Sequence, residues 1–196
     1  MISATLICHP ESHCRSVQTI AARATWTRGG SLALTYLLTG ALNRLKLPPS
    51  KFPQRADGLW KRTCFELFAA EEGSAAYCEF NFSPSGEWAL YGFRGYRKKT
   101  KLEDEKFQPD ITVRVKEDRL KLNAVVDFEP LKKIASTASL RIGFSAVIEE
   151  RRGMRSYWAL RHPPGKPDFH HPDSFALRLQ PLKVDAVPDP AYTGKA

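Results

Sequence analysis

Glu66, Glu79 and Asn81 stand out because each interrupts an apolar run. Glu66 lies in Cys64-Phe65-Glu66-Leu67-Phe68, and the other two in Tyr77-Cys78-Glu79-Phe80-Asn81-Phe82. Successive side chains of an extended chain face opposite ways. The first segment therefore sets Phe65 and Leu67 against Cys64, Glu66 and Phe68. The second sets Cys78, Phe80 and Phe82 against Tyr77, Glu79 and Asn81. In residues 88–96 the alternation groups Trp88, Leu90, Gly92, Arg94 and Tyr96 against Ala89, Tyr91 and Phe93. If the three segments are neighbours, one face is core and the other gathers Glu66, Glu79, Asn81 and Arg94, with Trp88 on the side of Arg94. Carboxylates, an amide and a guanidinium among rings suit a polyhydroxylated ligand. The rings cover its apolar faces and the polar groups take its hydroxyls. The plainer alternative is a wet sheet face with cross-strand ion pairs.

Other residue types point to other chemistry. Trp60 and Trp158 could be further stacking platforms, although a strand Trp is commonly part of the core. Glu66 and Glu79 could form the acid/base pair of a glycan-cleaving enzyme, whose carboxyls stand ~5–10 Å apart. Nothing in the sequence raises either pKa, so an enzyme is not the leading expectation. Cys8-His9-Pro10-Glu11-Ser12-His13-Cys14 has zinc-ligating side chains, but adjacent Cys8 and His9 fit one tetrahedral centre poorly, and no metal site is expected. Cys64 and Cys78 alternate with large hydrophobes and read as inert thiols. His170 and His171 sit in the polar stretch 167–173, where they could close the end of a ligand site. Met154, in a basic loop, could join His162, His170 or His171 as an axial pair for haem. No phosphate loop or dinucleotide fingerprint occurs.

The elements that must position these groups read as strands. Segments 17–27 and 31–39 flank Gly29-Gly30 as a hairpin. Segments 60–70, 75–83 and 87–96 follow, joined by Glu71-Glu72-Gly73-Ser74 and Pro84-Ser85-Gly86, turns short enough for antiparallel neighbours. Segments 111–115 and 120–128 form another hairpin, then come 140–150, 157–161 and 174–179. Residues 129–138 could hold a helical turn, and Leu47-Pro48-Pro49-Ser50-Lys51-Phe52-Pro53 must be a loop. About ten short strands and no long helix predict an all-β fold, a single antiparallel β-sandwich of jelly-roll or immunoglobulin-like kind over residues 1–182. Residues 183–196 read as a flexible tail.

A chain of 196 residues with 42% hydrophobic and 26% charged residues can bury about 70% of its surface and needs no staples. The net charge of +9 raises the question of nucleic acid. The basic residues are scattered along the chain, however, and the densest run, Arg97-Lys98-Lys99-Thr100-Lys101, is followed by Glu103-Asp104-Glu105. That argues against nucleic acid. No apolar run approaches the ~20 residues of a membrane span. The first residues lack the basic and apolar regions of a signal peptide, so a cytoplasmic location with four reduced thiols is expected. Nothing in the sequence sets the oligomeric state.

Longer strings carry a resemblance. Trp60-Lys61-Arg62-Thr63-Cys64-Phe65-Glu66 and Glu79-Phe80-Asn81-Phe82-Ser83-Pro84-Ser85-Gly86-Glu87-Trp88 resemble the bacterial DOMON-like domain proteins. So do Leu6-Ile7-Cys8-His9-Pro10 near the start, and Tyr157-Trp158-Ala159-Leu160, His162-Pro163 and Pro167-Asp168-Phe169-His170-His171 late in the chain. The resemblance spans about residues 5–180. It implies a β-sandwich related to DOMON domains and to family 9 carbohydrate-binding modules, which bind sugars or haem and are not catalysts. Arg62 stands where the family often has His, which disfavours a neutral ligand or base at that position. The resulting expectation is a non-catalytic domain for a small molecule, a saccharide or sugar-like metabolite. Trp60 or Trp88 would stack on it, Glu66, Glu79, Asn81 and Arg94 would bond it, and Trp158, His170 and His171 would close the end. No cofactor is expected in this reading. A haem-bearing redox module and a glycan-active enzyme are its alternatives.

Overall fold

Strict alternation builds one sheet and its absence builds the other. In Leu32-Ala33-Leu34-Thr35-Tyr36-Leu37-Leu38 every second side chain is buried, as expected of a strand with one face on a core. Cys64-Phe65-Glu66-Leu67-Phe68-Ala69-Ala70, by contrast, is buried throughout, so this strand is covered on both faces. The computed structural model describes residues 1–102, 106–128 and 138–181. All but the last residue of the helical turn expected in 129–138, the acidic run 103–105 and the tail 183–196 lie outside the described residues.

The described residues form thirteen strands: β1 (Ile2–Thr5), β2 (Ile7–Cys8), β3 (Val17–Trp26), β4 (Leu32–Gly40), β5 (Cys64–Glu71), β6 (Tyr77–Phe82), β7 (Trp88–Phe93), β8 (Lys99–Thr100), β9 (Asp110–Val115), β10 (Arg119–Val126), β11 (Leu140–Glu149), β12 (Arg155–Ala159) and β13 (Leu177–Leu179). A five-stranded sheet runs β1-β3-β4-β10-β9. An eight-stranded sheet runs β2-β12-β11-β5-β6-β7-β8, with β13 also on β11. Every pairing between these strands is antiparallel. The fold is the all-β sandwich that the strand pattern predicts. The strands beyond the expected ten are the short β1, β2 and β8, which carry too few residues to show a period.

The chain changes sheets at its start. β1 pairs with β3 in the smaller sheet, and β2 pairs with β12 in the larger one. Leu6, the residue between them, is buried. Between the sheets lies the main core, with Tyr36, Leu38 and Leu122 from one sheet and Phe65, Leu67, Phe80 and Phe144 from the other. Tyr36 packs its ring on Phe65 and Phe144, and its hydroxyl donates across the sandwich to the backbone carbonyl of Glu66 at 2.7 Å. A second, smaller cluster lies on the outer face of the larger sheet. There Phe68, Ala70, Tyr77 and Phe93 are covered by Phe175 and flanked by Tyr91 and Phe169. Gly143 on β11 permits this cover, because a Cβ there would lie 3.0 Å from the carbonyl oxygen of Ser174. The segment 162–175 thus roofs part of a sheet face that is elsewhere open.

Candidate functional site

The outer face of the larger sheet is ordered by its register. Glu66 stands opposite Asn81 on β6 and opposite Ser145 on β11. One row over, Phe68 faces Glu79, which in turn faces Tyr91 on β7. Glu66, Glu79 and Asn81 therefore share one patch, and all three are buried. Asn81 Nδ2 donates to Glu79 Oε1 at 2.8 Å, Ser145 Oγ donates to Glu66 Oε2 at 3.2 Å, and Cys64 Sγ donates to Asn81 Oδ1 at 3.4 Å. Glu66 Oε1 has no hydrogen-bond partner among the described residues.

Above this floor opens a cleft of about 370 Å³, at the small end of the range for small-molecule sites. Glu66, Glu79 and Phe68 form its base. Trp60 and Tyr91 form one side and Tyr157 and Phe169 the other, His170 packs against Phe68 and Phe93, and Arg97, Lys99 and Arg155 stand at the rim. Trp60 meets Tyr91 edge to face at 5.5 Å. Lys99 Nζ lies over the Tyr91 ring, 4.6 Å from its centre, in cation–π geometry. Tyr91 is held from behind, because its hydroxyl donates to Asp57 Oδ1 at 2.8 Å.

Burial sets the electrostatics. Desolvation, aided by the neighbouring Glu79 charge, pushes the Glu66 carboxyl well above the usual carboxylate range. Glu79 is also raised by burial, against the opposing pull of Asn81, Lys99 and Arg97. His170 is depressed to about 4 by burial and then by the Arg97 charge, so it is neutral at pH 7. Its Nδ1 lies 2.9 Å from the Tyr77 hydroxyl, whose oxygen accepts the Arg97 backbone N–H at 3.1 Å. The other ring nitrogen, Nε2, lies 3.6 Å from Glu79 Oε2, so the imidazole stands between the phenol and the carboxyl. Asp168 fixes the loop: it accepts from Arg97 Nη2 at 2.7 Å, from the Tyr96 hydroxyl, and from the His170 backbone N–H at 3.1 Å. The floor thus offers two carboxyls whose raised pKa values favour the proton-bearing form, and an imidazole, all beneath rings.

The structure distributes the expected residues unevenly. Glu66, Glu79, Trp60 and His170 line the cleft, and Asn81 supports it from below. Trp88 is a correction. It stands opposite Phe82 on the core face and packs edge to face on Phe107. The polar-face residues of β7 are Ala89, Tyr91 and Phe93, the opposite of the expected phase. Arg94 accordingly lines a different, smaller pocket with Glu71 and Tyr77. Trp158 also points into the core, with Nε1 donating to Ser156 Oγ at 2.9 Å, and its neighbour Tyr157 reaches the cleft. His171 does not line the cleft: it caps the 3-10 turn Pro172–Ser174, its Nδ1 accepting the Asp173 N–H at 3.2 Å. His162 bonds the Ile7 carbonyl at 2.8 Å and meets the His9 ring. Met154 lines a separate groove that none of His162, His170 and His171 lines, so the structure does not bring together the axial pair of the alternative haem reading. Arg62 is occupied by Glu149 at 3.2 Å. Among the described residues no group of three or more His, Cys, Asp or Glu side chains is placed to hold a metal ion. Also among the described residues, no helix is long and apolar enough to cross a membrane. Tyr91, Tyr157 and Phe169 were not singled out from the sequence. The register of the Ser83-to-Glu87 turn, which sets Phe82 opposite Trp88, is the signal that identifies Tyr91.

No protein-family model matches the sequence, and no curated protein does. Solved structures do. A protein from Bacteroides uniformis ATCC 8492, provisionally named as carbohydrate-binding, is similar with a TM-score of 0.59 at 15% identity, over 79% of this chain and 75% of that one. A family 9 carbohydrate-binding module from Caldicellulosiruptor kristjanssonii, solved with glucose, is similar with a TM-score of 0.58 at 10% identity, over 92% of this chain and 84% of that one. The family 9 module from the same organism solved with cellotriose gives a TM-score of 0.53 at 12% identity, over 90% and 82%. The shared feature is the β-sandwich fold.

Proposed function

We infer that the protein is a non-catalytic binding domain for a saccharide or sugar-like metabolite, held in the cleft on the outer face of the larger sheet. The observation that carries this reading is the cleft itself: buried Glu66 and Glu79 at its base, with Trp60 and Tyr91 facing Tyr157 and Phe169 above them. Rings of this kind cover the C–H faces of a sugar, and two carboxyls whose raised pKa values favour the proton-bearing form, with an imidazole beside them, serve hydroxyls that both donate and accept. The fold shared with solved carbohydrate-binding modules supports the same reading. It also fits the resemblance of the sequence to DOMON-like proteins. Calorimetric titration with glucose, cellotriose and a panel of other mono- and oligosaccharides tests it. One sugar class should bind saturably, and Trp60→Ala and Tyr157→Ala should each weaken it about tenfold, which corresponds to ~1.4 kcal/mol. Absence of binding across the panel overturns the reading.

One observation favours a second reading. Two buried carboxyls with raised pKa values on adjacent strands are an arrangement that can supply a general acid. A glycan-active enzyme of this kind would turn over its substrate, and Glu66→Gln would abolish turnover while sparing binding. In a binding domain neither variant nor parent shows turnover.

A further inference from the structure

We propose that a second site, unconnected with the cleft, binds a ligand carrying two or more phosphate groups through Arg15, Arg44, Arg151 and Arg152. These arginines come from three turns far apart in sequence, and all four line one groove of about 920 Å³. The turns are fastened to each other through the backbone. The Arg151 N–H donates to the Arg44 carbonyl at 2.8 Å, the Ala41 N–H donates to the Ser16 carbonyl at 2.7 Å, and Leu45 bridges to Glu150. Gly40 marks how closely they approach, because a Cβ there would lie 2.1 Å from the Ser16 carbonyl oxygen. The frame therefore holds the four cationic side chains around one space.

Gathering four like charges costs free energy through mutual repulsion unless anions offset it. The protein supplies little offset. Among the described residues none of the four arginines forms an ion pair with a carboxylate, and all four are exposed. Glu150 is the one acid lining the groove, and it is buried and accepts from Cys14 Sγ at 3.6 Å. Guanidinium groups bond phosphate oxygens in pairs and are weakly hydrated, so they release water readily to such a ligand. The groove's volume lies near the top of the range for small-molecule sites, ~300–1,000 Å³, and one phosphate would leave most of it unfilled. No Phe, Tyr or Trp lines it, so it offers no platform for stacking a base. The ligand is recognised through its phosphates.

The test is titration of the intact protein with inorganic tripolyphosphate, ATP and a duplex DNA at low salt. Tripolyphosphate is expected to saturate at one per chain, to weaken steeply as salt rises, and to be matched but not exceeded by ATP. Arg151→Ala with Arg152→Ala should weaken it at least tenfold. Arg15→Ala with Arg44→Ala, on different turns, should do the same and decides the matter if the first pair fails to fold. Arg23→Ala with Lys121→Ala removes the same charge from the smaller sheet and should leave binding unchanged. Equal loss in that control means bulk charge only and overturns the site. Lack of saturation, tighter binding of ATP, or arginine-dependent binding of duplex DNA without tripolyphosphate overturns it too. Loss of sugar binding in the cleft has no bearing on these outcomes.

Discussion

Two buried groups in the cleft pull stability in opposite directions with pH. The Glu66 carboxyl has a raised pKa when folded, chiefly through burial. The folded protein therefore holds a proton that the unfolded chain releases, and stability falls as pH rises above about 4.5 toward the folded value. Glu66→Gln removes that slope, so the variant should gain on the parent as pH rises above about 4.5 in urea unfolding. His170 is depressed to about 4 by burial and Arg97. Its contribution is present above the unfolded pKa of ~6.5 and is lost as pH falls toward 4, amounting to roughly 2–3 kcal/mol. His170→Asn should flatten the acid limb over that interval, even though it also deletes the bond to Tyr77. At this scale Glu66, Glu79 and Asn81 were legible, because a polar residue flanked by Phe or Leu in a strand fixes its own face. Trp88, Arg94 and Trp158 were not. Their strands carry large apolar groups on both sides, so alternation alone has two equally good phases.

The same ambiguity explains what could be read of the elements. Long strands with one wet face, such as β4 and β10, are unmistakable in the sequence, whereas β7 and β11 read as apolar runs with no preferred side. Only the hairpin turns set their register, and those of β6–β7 rest on the Ser83 N–H reaching the Glu87 carbonyl at 2.9 Å. The roof over the outer face has no periodic signature at all. Its seat depends on Gly143, where a side chain would meet the Ser174 carbonyl and Phe68. Gly143→Val should displace the segment 169–175, destabilise the fold by ~1–3 kcal/mol and, by moving Phe169 and His170, weaken cleft binding. Urea unfolding and sugar titration on the same variant measure both effects.

Across the whole molecule, the two sheets are joined by packing and by the Tyr36 hydroxyl reaching the Glu66 carbonyl. Tyr36→Phe should cost about 1–2 kcal/mol, since a buried acceptor loses its donor. At this chain length that lowers the Tm by several degrees, given roughly 2–4 °C per kcal/mol. Charge shows most clearly what a linear reading misses: arginines that look scattered in the sequence converge on one groove once three turns meet. The opening strands carry a consequence for the growing chain. β1 finds its partner β3 within some 20 residues, but β2 must pair with Trp158 and Ala159 on β12. At ~5–20 residues per second on the ribosome, that partner emerges roughly 7–30 s later. For that interval the Ile7–Cys8 segment has no native strand beside it, and the larger sheet stays open at this edge. Closure of the larger sheet at β2 is therefore among the last steps of assembly during synthesis, whatever order the isolated chain follows when it refolds.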